Sequence, residues 1–205
     1  MTEIFQCPAE AVAVLVLAHG AGAGMRHRSM QSIADALERR GVGTLRFEFP
    51  FMREGRKRVD SPQIAMAEIE RARAAAADKT SLPIWLGGHS FGGRMATHAV
   101  AERGVAAEGL VLYSFPLHAA GRPGTERARH LAEIRVPMLF VSGTRDALAE
   151  RNLLAQVVDE LPNARIHWLD TADHGYRVRR RERESSEDVF DEIARATREF
   201  IDTRR

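Results

Sequence analysis

Cysteine is nearly absent from this chain: among 205 residues, Cys7 is the only one. An intramolecular disulfide is therefore excluded, and so is a thiolate metal cluster built within one chain. Lysine is almost as scarce, confined to Lys57 and Lys79, so the basic set is nearly all arginine. Neither sign of charge dominates, because 30 basic and 28 acidic groups leave a formal net charge of +2. That balance argues against a surface built for nucleic acid, which needs a basic field. Long hydrophobic runs are missing as well. The longest, Ala11 to Ala18, falls far short of the roughly 20 residues of a membrane-spanning helix. The start, Met1 to Gln6, lacks the basic and apolar regions of a signal peptide. The expectation is a cytoplasmic protein that acts without a membrane. No His, Asp and Glu cluster has metal-ligand spacing, so neither metal nor cofactor is expected.

What is present suits one globular domain over residues 1–205, at 44% hydrophobic and 28% charged. Ala11–Ala18 is a continuous apolar run that reads as a strand buried on both faces, as in a parallel sheet. Further strands are expected at Val42–Phe49, Leu82–Leu86, Gly109–Tyr113, Val136–Ser142 and Ala164–Leu169. Helical spacing falls between them: Ser29–Arg40, Pro62 to about Asp78 with Ile64, Ala65, Ile69 and Ala72 inward, Arg94–Ala101, residues 149–160, and a final helix from Val189. A short polar helix is expected near Thr125–Glu133. Steady alternation of strand and helix implies an α/β fold, a mostly parallel sheet with helices on both faces. Too few residues separate the strands near Ser114 and Val136 for a lid domain. The charged stretch Met52–Asp60 follows a strand end, and so reads either as a solvated loop or as the border of a substrate cleft.

Chemistry concentrates after the strand at Leu82–Leu86. Gly88-His89-Ser90-Phe91-Gly92 fits G-x-S-x-G, in which a serine sits on a sharp strand-to-helix turn. A side chain at such a tip needs an unusual backbone angle and small neighbours two residues away on either side. Ser90 would then project at a helix N-terminus, with the Phe91 N–H placed to donate to an oxyanion. A serine hydroxyl needs a base, and the base needs an acid to orient it. The order nucleophile, acid, histidine, each on a loop after a strand, is met by Ser90, by Asp146 in Gly143-Thr144-Arg145-Asp146, and by His174. Asp173 adjoins His174 too closely to aim at it well, and Asp170 reads as a turn cap. His19 reads as a brace for the loop that follows it, His89 as the variable elbow position, and His98 lies mid-helix.

The loop His19-Gly20-Ala21-Gly22-Ala23-Gly24 offers bare backbone N–H groups. It lacks the Lys-Ser/Thr of a P-loop and the G-x-G-x-x-G spacing, which favours an oxyanion loop over a phosphate loop. A plain connection remains the alternative.

Taken together, these motifs, with Arg46-Phe47 and Phe49-Pro50, resemble a small lidless α/β-hydrolase family related to dienelactone hydrolases. Its eukaryotic relatives include a subunit of the NSL chromatin complex. The resemblance covers nearly the whole chain. It implies Ser90 as nucleophile, Asp146 as acid and His174 as base, with the Ala21 and Phe91 amides as the oxyanion hole. Dienelactone hydrolases proper use cysteine as nucleophile, and position 90 is serine, which sets the chain apart from that activity.

The expected function is a serine hydrolase, carboxylesterase-like, acting on a small-molecule ester, thioester or similar acyl substrate. The alternative is a non-catalytic interaction module on the same fold. Arg177 to Glu184 intersperses glutamate with arginine, which reads as a solvated loop rather than a nucleic-acid patch, although its place after His174 would let an arginine touch an anionic substrate. Oligomeric state is left open.

Overall fold

The computed structural model describes residues 3–204. Of the stretch read for a leader, Met1 and Thr2 lie outside the described residues, as does Arg205 at the far end. A seven-stranded sheet in the order β1-β3-β2-β4-β5-β6-β7 forms the centre. Its strands are β1 (Glu3–Gln6), β2 (Ala13–Ala18), β3 (Val42–Phe47), β4 (Ile84–His89), β5 (Leu110–Tyr113), β6 (Met138–Gly143) and β7 (Ala164–Leu169). All neighbouring pairs are parallel except β1 with β3. The six parallel strands are the six expected, with shifted ends. The edge strand β1 was not foreseen, because Glu3-Ile4-Phe5-Gln6 is short, half-polar and half-exposed. Cys7, just beyond it, is half-buried against Gly43 at the start of β3.

Alternation along the strands divides the core in two. Val14 and Val16 of β2 face one layer; Leu15 and Leu17 face the other. The first layer holds α3 (Pro62–Ala77), α4 (Phe91–Arg103) and α5 (Arg151–Asp159), and the second holds α1 (Arg28–Arg39) and α6 (Val189–Asp202). Ser61 caps α3 by accepting the Ile64 N–H, with Pro62 at the first helical position. Asp188 caps α6 in the same way, and Gly104, in the left-handed region at φ 64°, ends α4. One inward assignment on α3 is corrected. Ala65, Ile69 and Ala72 are buried, but Ile64 is 48% exposed, because in the first turn it falls on the solvent side of the stripe.

One loop differs from expectation and one agrees with it. Pro50–Arg53 forms a short helix, α2, where the Met52–Asp60 loop was to begin. Asp60 is buried beneath it and accepts the Phe51 N–H (3.1 Å). Residues 52–60 do not line the cleft described below. The connection from β5 to β6 carries only a 3-10 segment, Glu126–Glu133, so no lid stands there.

Arg46 is the largest fully buried side chain. From β3 its guanidinium donates to the Met25 carbonyl (3.2 Å), to Gln31 of α1 (2.8 Å) and to Gln6 of β1 (3.2 Å). One cation thus ties the antiparallel edge to α1 and to the loop after β2. The core around it is mostly apolar. Phe140, fully buried in β6 with its ring 5.6 Å from Phe115, belongs to the first core layer. Phe140→Ala is expected to lower unfolding free energy by about 3–5 kcal/mol, read from urea denaturation.

Candidate active site

Ser90 stands between β4 and α4 with φ 52° and ψ −115°, a conformation an L-residue adopts only under constraint. The constraint is visible on both sides. Gly88, at φ 148°, and Gly92 press against the end of β2: a Cβ on the first would lie 2.1 Å from the Ala18 oxygen, and on the second 2.6 Å from the His19 oxygen. Gly87 is as tightly held against Val111 of β5. The glycines are therefore strand and helix rather than the loop their composition suggests, and α4 starts at Phe91 rather than Arg94. Ser90 N–H is used by the Tyr113 carbonyl (2.8 Å), and Ser90 C=O accepts from Arg94. Phe91 N–H, at the first helical position, has no acceptor within the helix.

The three expected side chains meet at this rim. His174 Nε2 lies 2.9 Å from Ser90 Oγ, and His174 Nδ1 lies 2.9 and 2.8 Å from the two Asp146 oxygens. The Asp146 side chain is fully buried and also accepts the Leu148 N–H (2.8 Å). A buried carboxylate on Nδ1 fixes the imidazole with its proton on that nitrogen, leaving Nε2 as the acceptor facing the hydroxyl. Asp173 instead closes its own turn, accepting N–H groups from Gly175 and Arg177. Asp170 accepts the Glu184 N–H.

Two histidines brace the surroundings. His19 Nε2 accepts the Phe49 N–H (3.0 Å), so Nδ1 carries the proton and donates to the Gly20 carbonyl (2.8 Å). Burial holds its pKa below the usual imidazole value, keeping this neutral tautomer in place. His118 Nε2 accepts the Glu150 N–H (3.2 Å), and the His118 backbone N–H donates to Leu148 O (3.0 Å), which steadies the loop carrying Asp146. Sequence reasoning passed over His118.

It read His89 only as the variable position of the elbow. Its Nε2 donates to the backbone carbonyl of His174 (2.9 Å), and its ring packs 5.2 Å from the His174 ring and 5.6 Å from Tyr176. The elbow thereby grips the histidine loop directly. Only the variable position of G-x-S-x-G could have signalled this, and that position carries no sequence constraint of its own.

A cleft of about 740 Å³ opens over Ser90 and His174, with Ala21, Met30, Leu148 and Arg177 among its walls. Its lining is mostly apolar, with polar atoms converging at Ser90. Ala21 lines the cleft with Ser90, while Phe91 turns its ring inward against Phe49 (5.3 Å) and Phe51 (6.0 Å).

The chain matches the model of the α/β hydrolase domain family over residues 11–202, and it belongs to that family. Its fold is similar to that of Est1E from Butyrivibrio proteoclasticus, solved with ferulic acid bound, at TM-score 0.75 and 17% identity, covering 99% of this chain and 94% of the other. Dienelactone hydrolase from Anabaena variabilis superposes at TM-score 0.73 and 18% identity, covering 98% and 90%. An α/β serine hydrolase without a lid from Xanthomonas campestris does so at TM-score 0.71 and 17% identity, covering 98% and 88%. Among the described residues no helix is long and apolar enough to cross a membrane.

Two outcomes test the elbow. Gly92→Ala sets a methyl against backbone that cannot yield, and is expected to cost about 1–3 kcal/mol in denaturation. His89, whose pKa burial lowers to about 4, resists protonation in the fold while an unfolded chain takes the proton near 6.5. The unfolded state thus binds more protons as pH falls through that window, and stability drops with it. His89→Gln should lose about 1–2 kcal/mol less than the native chain between pH 7.5 and pH 5, measured by urea denaturation at each pH.

Proposed function

We propose that the protein is a serine hydrolase that cleaves a small-molecule ester, thioester or similar acyl bond. Ser90 is the nucleophile, His174 the general base and acid, Asp146 the residue that orients it, and residues 1–205 act as one catalytic domain. The observation that carries this reading is the continuous hydrogen-bonded chain from Ser90 Oγ through both nitrogens of His174 to the buried Asp146 carboxylate. The fold similarities alone would not carry it, since one fold hosts many activities.

In the proposed reaction His174 Nε2 takes the Ser90 proton as Oγ bonds to the acyl carbon. The carbonyl oxygen becomes an oxyanion, stabilised by the Phe91 and Ala21 amides; each such donor is typically worth about 3–4 kcal/mol. Collapse of the tetrahedral adduct breaks the bond to the leaving group, which receives the proton from His174. Water then repeats the sequence on the acyl-enzyme, giving the free acid and regenerating Ser90. Asp146 stabilises the imidazolium at each stage without taking its proton. The absence of a lid favours compact acyl groups that an open cleft can hold.

A fluorophosphonate probe should label the native protein and leave Ser90→Ala unlabelled, which separates this reading from a non-catalytic module. With p-nitrophenyl butyrate, Ser90→Ala and Asp146→Asn should each lower kcat by at least about 10³-fold. Full activity in Ser90→Ala would place the chemistry elsewhere.

A further inference from the structure

The cleft over Ser90 continues into two more hollows. One, of about 590 Å³, runs between the start of α1 and residues 175–177; the next, of about 640 Å³, lies along residues 176–190. Arg177 lines all three, Arg28 lines the outer two and Arg180 the last. The result is one trough that begins at the reacting atoms and is walled by exposed arginines.

Three of these arginines take part in no ion pair among the described residues. Nearby Arg39, Arg179, Arg183 and Arg195 are ion-paired, with Asp191, Glu182, Glu192 and Glu187 respectively. Arg28, Arg177 and Arg180 have no carboxylate within 4.0 Å among the described residues. Of the carboxylates that line the trough, only Glu187 pairs with a cation; the others accept hydrogen bonds from neutral groups. Asp35 accepts from Gln6 and Gln31, Asp173 from two backbone N–H groups, Asp188 from the Phe190 N–H, and Glu187 pairs with Arg195. A single unpaired surface arginine calls for no explanation. Three around one trough repel one another, and an anion in the trough relieves that repulsion.

The backbone of Arg177 is also fixed relative to the chemistry. Asp173 N–H donates to the Arg177 carbonyl (3.0 Å), Arg177 N–H donates to Asp173 Oδ1 (3.0 Å), and Tyr176 N–H donates to the Asp173 carbonyl (3.0 Å). This closed turn contains His174. In the reading proposed above, on which this inference rests, His174 hands its proton to the leaving group. The leaving arm must then lie on the His174 side of the cleft, toward Arg177. His27 adds a donor: its Nδ1 accepts the Ser29 N–H, which leaves Nε2 to donate at a wall shared by the first two hollows.

We propose that the natural substrate carries a phosphate group on its leaving arm, held in this trough by Arg177 together with Arg28 and Arg180. A phosphate monoester is close to a dianion at neutral pH and offers three acceptor oxygens to guanidinium forks.

The test compares kcat/KM for 1-butyrylglycerol 3-phosphate and 1-butyrylglycerol, which share the ester and differ by one phosphate. The phosphate-bearing ester should be favoured at least about tenfold in low salt, the worth of one charge-assisted hydrogen bond. The preference should shrink as salt screens it. Arg177→Gln should bring the ratio close to one, and Arg28→Gln should lower it, whereas Arg58→Gln, outside the trough, should leave it unchanged. In parallel, phenyl phosphate and benzoate are titrated calorimetrically into Ser90→Ala. Phenyl phosphate should bind more tightly, and Arg177→Gln should weaken it about tenfold or more. Cleavage of both esters without preference, or a preference indifferent to Arg177, overturns the phosphate site and leaves the hydrolase reading standing. Arg177-dependent binding of phenyl phosphate without cleavage of either ester does the reverse. Equal binding of benzoate overturns the assignment to phosphate.

Discussion

The site depends on how closely two backbones approach. The elbow between β4 and α4 lies directly against the last residues of β2, at a separation that only hydrogen atoms on Gly88 and Gly92 permit. That approach sets the serine next to the loop that leaves β2, so the groups expected to act as nucleophile and as oxyanion donors come from adjacent strand ends. It also forces Ser90 into a positive-φ conformation, which is paid for by the packing around it. Three other non-glycine residues share that backbone region, Ser114, Thr171 and Tyr176, and all follow the C-terminal ends of strands. Among the described residues, the non-glycine positions with positive φ gather at one rim.

Around that approach the protein uses neutral histidines as fasteners. His19 ties the start of the glycine loop to the entry of α2, His118 ties the loop after β5 to that after β6, and His89 ties the elbow to the turn carrying His174. Each bonds to backbone, so the loops are held whatever their other side chains do. The acidic residues show the same economy. Asp146, Asp60 and Asp188 all accept backbone N–H groups, and of these only Asp146 also touches an imidazole.

Much of the architecture was legible because it rests on local patterns. Continuous apolar runs mark strands buried on both faces, and period-3.6 stripes mark the helices between them. The elbow and the order of Ser90, Asp146 and His174 followed from spacing and from their places after strands. What escaped was set by contacts distant in sequence. Strand β1 exists because β3 offers it an edge and Arg46 reaches Gln6, neither of which is visible in Glu3-Ile4-Phe5-Gln6. The glycines at 87 and 88 read as loop because their role is to let neighbouring backbones close in. Arg183, in a stretch read as solvated, has a side chain 3% exposed because Glu192 of α6 receives it. The grip of His89 on the carbonyl of His174 joins residues far apart in the chain.

The scarcity of cysteine acquires a practical meaning once the fold is known. Cys7 sits by the beginning of β3, at the end of the strands opposite the rim that bears Ser90. A maleimide or a thiol-linked fluorophore therefore has one address on this molecule, remote from the cleft. The same single handle that reports on the sheet's antiparallel border would leave an oxygen nucleophile untouched.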